Sequence, residues 1–231
     1  MKRGTLDRIA GAQAARRPLV VVTRLSDGAQ SCVDAGGAQG DLVLTADQAH
    51  AAAGALDSGR SGPLDGAGSV FARAYVPAPR LLIVGAVHIA QALAGMAATA
   101  GFEVIVIDPR GAFASPARFP GVRLIDAWPD EALAELGLDA ATAIVALSHD
   151  PKLDDPALQR ALPSDVFYIG ALGSRRTHER RVARLTEAGL GALVSRIHSP
   201  IGLDLGGRSP AEIAVSILAE VIQVRYQGAP A

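Results

Sequence analysis

Residues 80–110, RLLIVGAVHIAQALAGMAATAGFEVIVIDPR, decide the fold. Leu81 to Val84 form a short unbroken apolar run, the pattern of a parallel strand buried on both faces. Gly85 permits a sharp turn. From Ile89 to Ala100 the residues are small and helix-forming, with Ala90, Leu93, Ala94 and Ala97 on one face. Gly101 stops that helix, Val104 to Ile107 make a second strand, and Asp108 stands 23 residues after Gly85. Strand, glycine turn, helix, strand and terminal acid together approach the dinucleotide fingerprint G-x-G-x-x-G/A, whose acid binds a ribose. Gly85 and Ala90 fill its first and third positions. Val87 fills the second, where a β-branched side chain occupies the space a pyrophosphate needs. The fold signal survives, because turn and packing depend on the other two positions. Val87 argues against conventional NAD(P) binding.

The alternation continues outward. Strands are expected at Val122 to Ile125, Thr142 to Leu147 and Val166 to Ile169, with helices over Pro129 to Leu136, about Asp155 to Leu162, and about Arg175 to Ala188. A final helix opens with the capping box Ser209-Pro210-Ala211-Glu212. This predicts an α/β protein with a doubly wound, parallel, Rossmann-like sheet in residues 77–231. Residues 1–76 read as a small N-terminal α/β segment. It has a basic helix, a strand at Pro18 to Arg24, a second short strand around Cys32 and a helix capped by Thr45 and Gln48. Its Gly-, Pro- and Ser-rich end, including a strand at Val70 to Val76, reads as a linker. So small a segment is expected to bury little core unless it docks on the rest.

Ligands of open parallel sheets bind beyond the carboxyl ends of the strands. That rule selects Gly85, Val87 and His88, then Asp108 and Arg110, then His149 with Asp150, then Gly173, Ser174 and Arg175. Gly173-Ser174 before an arginine-rich helix resembles an anion cradle, with Arg175 nearest the edge as the cation. Arg180 and Arg184 read as solvated. His88 is either over the crevice or a packing residue. His149 and Asp150 are open between a metal pair, an acid/base pair and a polar turn, the turn being favoured for Asp150 because Pro151 follows. No spacing brings His88, His149 and a carboxylate together, so no metal site is expected, and no catalytic residue is assigned. GxSxG and GK[ST] motifs are absent.

The bulk numbers narrow the class. Hydrophobic residues make up 49% and charged residues 19%, which suits a well-buried globular core. A net charge of −1 gives no general attraction to nucleic acid or to an anionic membrane. Lys2 and Lys152 are the only lysines, so cationic contacts fall to arginine. A single cysteine, Cys32, excludes an internal disulfide and a cysteine-built zinc site. No apolar run is long enough for a membrane span, and the N-terminus lacks the apolar region of a signal peptide, so a cytoplasmic location is expected. On the last helix, Ser216, Glu220, Gln223 and Gln227 form one narrow polar stripe. The apolar remainder is wide enough for deep burial, or for a self-contact or client contact.

The segments RLLIVGAVHIAQAL, VIDPRGAFASPARFPGV, ALSHDPKLDDPAL, FYIGALGSRRTHERR and SPIGLDLGGRSPAEIAVSILAEVI, in this order, resemble the Rossmann domain of the XdhC/CoxI family over about Arg80 to Val224. The resemblance implies an accessory factor that binds the molybdenum cofactor (molybdopterin) and assists its maturation or insertion. The client implied is a molybdenum hydroxylase apoenzyme of the xanthine dehydrogenase or carbon monoxide dehydrogenase type. It implies a cofactor-binding chaperone rather than a turnover enzyme, with a cysteine desulfurase as a further partner. The N-terminal part departs from the family: it has neither a GSSPR-like segment nor a glycine-glycine-cysteine motif, and Cys32 precedes Gly36 and Gly37. No sulfur-related role is therefore carried over to Cys32. Two other readings stay open on the residues: an NAD(P)-dependent oxidoreductase with His88 or His149 as proton donor, and a protein-binding regulator that kept the fold and lost its ligand.

Overall fold

The computed structural model describes residues 2–227 and divides into two compact units, one up to Pro77 and one from Ala78. In the N-terminal unit α1 (Arg3–Ala14) precedes three strands, β1 (Leu19–Arg24), β2 (Gln30–Asp34) and β3 (Gly37–Gly40). Then come α2 (Ala46–Ser58), β4 (Gly62–Pro63) and β5 (Val70–Tyr75), and the five strands form an antiparallel sheet in the order β3-β2-β1-β5-β4. Both faces of β1 are covered. Val20 and Val22 pack with Ala52 and Ala55 of α2, while Leu19 and Val21 pack with Ile9 and Ala12 of α1. That is why the strand reads as an unbroken apolar run. Val70 to Tyr75, expected as a strand at the end of a linker, pair along the whole of β1, from Arg24 opposite Val70 to Leu19 opposite Tyr75. The unit thus has two small apolar clusters of its own.

The second unit is the doubly wound domain. It runs β6 (Arg80–Val84), α3 (His88–Thr99), β7 (Glu103–Ile107), β8 (Arg123–Ile125), α4 (Pro129–Leu136) and β9 (Thr142–Ala146). It continues through α5 (Pro151–Ala161), β10 (Tyr168–Ala171), α6 (Arg175–Glu187), β11 (Ile197–His198) and α7 (Pro210–Tyr226). All strand pairs are parallel, in the order β11-β10-β9-β6-β7-β8. This is the Rossmann order, and the direction of winding reverses between β6 and β9. Leu81 and Ile83 face α3 and α7, meeting Leu93, Ala97, Ile217 and Val221; Leu82 and Val84 face the opposite layer, meeting Leu133, Leu158 and Leu185. Each such fully buried side chain contributes about 1.5–3 kcal/mol, so the sheet's central strands anchor the fold.

Three local differences from the sequence reading have physical causes. α5 begins at Pro151, not near Asp155: Asp150 is its N-cap, accepting from the Lys152 N–H at 3.0 Å, and Pro156 sits inside the helix and hides its true start. β11 is only two residues long and follows a 3-10 helix, so it leaves no alternation to read. On α7 the polar stripe is turned partly inward. Ser216 is buried and donates to the Leu203 carbonyl at 2.7 Å, while Glu220 accepts from the Gly202 N–H at 2.8 Å and bonds the Tyr168 hydroxyl. Val215 and Ile222 face outward instead. Among the described residues no helix is long and apolar enough to cross a membrane.

Candidate functional site

At the winding reversal the loops after β6 and β9 touch. Gly85 has φ +100°, and a Cβ built there would lie 2.8–2.9 Å from the Cβ, Cα and N of Ser148. Only glycine lets the two loops approach this closely. Val87 is the N-cap of α3 and packs partly against the core, and His88 is exposed in the first turn of that helix.

Asp108, expected at a ribose, is fully buried and engaged within the protein. One carboxylate oxygen accepts from the Ala86 N–H at 2.8 Å and from an Arg110 terminal nitrogen at 2.7 Å. The other accepts from the Arg110 N–H at 2.9 Å and the Arg110 Nε at 2.8 Å. Burial alone would raise this carboxyl's pKa, but the bonds from Arg110 and Ala86 outweigh it and hold it below the usual range. The acid thus ties the glycine turn to β7. The Arg110 guanidinium also lies over the Phe113 ring, 4.7 Å from its centroid.

After β9 the chain turns at His149, which is exposed and has φ +60°, a conformation more tolerable for histidine than for β-branched residues. Ser148 donates to Asp154 at 2.6 Å, and the Asp150 N–H donates to the Ser148 hydroxyl at 3.1 Å. His149 and Asp150 are therefore turn and cap residues in their local geometry. Among the described residues no group of three or more histidine, cysteine, aspartate and glutamate side chains could hold a metal ion.

The loop after β10 carries Gly173 (φ +148°) and Ser174, which caps α6 by accepting from the Thr177 N–H at 3.2 Å. Arg175 opens the helix and is exposed. The residue not anticipated is Arg181. Two turns into α6 it is 2% exposed, donates to the Leu172 carbonyl at 2.9 Å, and stands 3.6 Å from Asp154, itself 1% exposed. Burial pushes the Asp154 carboxyl up and the Arg181 guanidinium down, each tempered by the other's charge. The inward spacing of Thr177, Arg181 and Leu185 is the helical signal that could have found it. Arg184, read as solvated, pairs with Asp155 through two of its nitrogens, one at 3.0 Å; Arg180 is exposed as expected.

Cys32 is buried in the wall of a cavity of about 300 Å³ within the N-terminal unit. The polar groups around that cavity bond one another, Thr5 to Gln30, Lys2 to Asp41 and Arg8 to Gln39. Burial raises the thiol's pKa, away from reactivity.

Comparison with known proteins places this geometry in a family. Residues 81–221 match the model of the XdhC Rossmann domain. The chain is 35% identical over 158 residues to a protein of Bacillus subtilis (strain 168) named as a probable subunit of xanthine dehydrogenase, a match covering 68% of this chain and 46% of that one. It is 34% identical over 156 residues to the "Molybdenum cofactor insertion chaperone PaoD" of Escherichia coli (strain K12), covering 67% of this chain and 43% of that one. The chain spans under half the length of these two relatives. A crystal structure described as a xanthine dehydrogenase from Bacillus halodurans superposes with a TM-score of 0.71, covering 98% of this chain and 65% of that one; at 23% identity the likeness shows the fold. The matched region runs from the first parallel strand into the last helix and contains every loop of the crevice, so the chain belongs to the XdhC family through its Rossmann domain.

Proposed function

We propose that the chain is an accessory factor that binds the molybdenum cofactor and assists its maturation or insertion into a molybdenum hydroxylase apoenzyme. The observation that carries this reading is its kinship with a relative named as a molybdenum cofactor insertion chaperone. The crevice supports it on two counts. Asp108 spends both oxygens on Ala86 and Arg110, so the acid that would hold a nucleotide ribose is withdrawn. The N-terminus of α6 leaves the Arg175 and Arg176 N–H groups without intrahelical acceptors, which suits the phosphate of a phosphorylated pterin. The cofactor would supply the metal chemistry of the client enzyme. This chain's residues would bind the phosphate and keep the pterin at the sheet edge.

Incubating a purified molybdenum hydroxylase apoenzyme with molybdenum cofactor tests this. Added chain is expected to raise the rate of activation, and an unchanged rate with every client of this class tried would count against a chaperone role.

Two further expectations arise here. Isothermal titration with NAD or NADP is expected to show no binding tighter than about millimolar, because Val87 stands where the dinucleotide fingerprint has its second glycine. Micromolar binding by the unaltered chain would revive the oxidoreductase reading, and Val87→Gly is the variant expected to gain affinity. On α7, Val215 and Ile222 are exposed beside Met96 and Leu218 in a shallow groove of about 460 Å³. We assign this face to self-association or client contact. Light scattering on the wild type and on Val215→Glu/Ile222→Glu checks it: a wild-type monomer that also binds its client as well as the double variant does would remove this face from the account.

A further inference from the structure

The loop between β7 and β8 holds one aromatic ring out of the core and fixes it there. Phe119 in that loop is buried, at 2% exposure, whereas Phe113 is 46% exposed. A single exposed apolar side chain is ordinary in itself. What separates Phe113 from the others is how it is held. Its N–H donates to the Arg110 carbonyl at 2.8 Å, closing a tight turn, and its carbonyl accepts from Arg118 at 2.6 Å. Arg118 also donates to the Gln91 side chain at 2.9 Å, and Gln91 donates back to the Arg118 carbonyl at 3.2 Å. The loop is thereby tied to the opening turns of α3.

The ring is backed by a planar cation. The Arg110 guanidinium lies 4.7 Å from the ring centroid and is itself pinned to Asp108, Nε on one carboxylate oxygen at 2.8 Å and Nη2 on the other at 2.7 Å. That two-point contact sets the orientation of the guanidinium plane. Even so, 38% of the Arg110 side chain stays exposed. The pair stands at the end of β7, next to the strand where the winding reverses, on the edge at which open parallel sheets take their ligands. Gly111 lies inside the same turn, and a Cβ built on it would be 3.4 Å from a carboxylate oxygen of Asp126. Asp126 follows β8 and is exposed, and its carboxylate has no ion-pair or hydrogen-bond partner among the described residues. A flat stacking surface and a free carboxylate thus meet at one turn.

We infer that Arg110, Phe113 and Asp126 form a binding site for a flat 2-amino-4-oxopyrimidine ring, the ring of pterins and of guanine. Aromatic faces and guanidinium planes both stack on heteroaromatic rings. A side chain already held rigid loses little freedom when a ligand covers it. The carboxylate selects the edge of the ring. Its two oxygens match the adjacent ring N–H and 2-amino donors, whereas adenine presents a donor beside an acceptor. The inference deepens the cofactor-binding reading and rests on it for the identity of the natural ligand, but a free pterin probes the site alone.

The test is a titration of the full chain with 6-hydroxymethylpterin, followed by the fluorescence of the probe and by NMR of the Phe113 ring protons and the Arg110 Nε–H. Saturable quenching is expected, with upfield ring-current shifts at both residues. In Phe113→Ala the affinity is expected to fall about fivefold or more, while Phe113→Tyr, which keeps the stacking face, stays within about twofold. Adenosine is expected to bind more weakly than the pterin, and Asp126→Ala to weaken the pterin about tenfold without weakening adenosine. Guanosine shares the recognised edge. Tighter binding of the pterin than of guanosine assigns the site to the cofactor's ring, and the reverse assigns it to a guanine nucleotide. The wild-type shifts need no variant, so a poorly folding variant leaves the proposal open to refutation. No saturable pterin binding, binding without a shift at Phe113, or equal affinity in wild type and Phe113→Ala would each overturn it. Adenosine bound as tightly as the pterin would overturn the ring class. The two readings also separate. Pterin held at Phe113 by a chain that takes up no molybdenum cofactor keeps the site and sinks the function. Equal cofactor uptake by wild type and Phe113→Ala keeps the function and sinks the site.

Discussion

Gly85→Ala is expected to lose about 3–5 kcal/mol of folding stability, a large part of the roughly 5–15 kcal/mol a domain possesses. Two costs combine. The residue holds φ +100°, which a side chain rarely tolerates, and the new methyl would sit 2.8–2.9 Å from the Ser148 backbone and Cβ, atoms that cannot rotate away. Relief requires the β6 and β9 loops to separate, which also opens the Ser148–Asp154 contact behind them. Urea denaturation followed by Trp128, the chain's one tryptophan and a residue of the Rossmann unit, reads this unit directly. A midpoint within error of the wild type would mean that the loops do not approach as described.

Asp108→Ala is the second large effect, with an expected loss of about 2–4 kcal/mol. The change strands the Ala86 N–H without its acceptor and frees Arg110 from three bonds to the carboxylate. The pH dependence distinguishes this cause from simple loss of packing. The folded-state pKa of Asp108 lies below its ordinary value, near 3.9, so its contribution is present above that pH and is lost as pH falls through the folded value. Wild-type stability should therefore decline from about pH 4 downward more steeply than that of Asp108→Asn, which has no carboxylate to protonate. Parallel acid limbs for the two proteins would show that Asp108 ionisation does not couple to folding.

The Rossmann core was legible in the sequence where the signal is local and periodic. Leu81 to Val84, the Gly85 turn and the Ala90–Ala97 face each declare themselves within a few residues, and the structure has them as read. What stayed hidden depends on partners far along the chain. Glu220 looks like a solvent-facing residue on a helical wheel until Tyr168, His198 and Gly202, from three other segments, converge on it. Arg181 lies in a run of arginines in which composition marks none as special, and only the docking of α6 beside Asp154 buries it. The N-terminal sheet was obscured in the same way. Phe71 and Ala72 carry weak alternation, and their place becomes clear only through pairing with β1. At the strand ends the rule named loops, and only the structure shows which side chains turn inward there. Asp108 was selected as a ligand group and is enclosed by its own neighbours, whereas Arg181 was passed over.

The proposal that this chain carries molybdenum cofactor at the carboxyl edge of its parallel sheet is tested most directly by native mass spectrometry of the full chain. Purified from a host that makes the cofactor, the protein is predicted to show a species heavier than the polypeptide by the mass of a molybdopterin form. That species should vanish when the same chain comes from a host unable to make the pterin. A bare polypeptide mass from both hosts, or an added mass equal to NAD or NADP, would contradict the account.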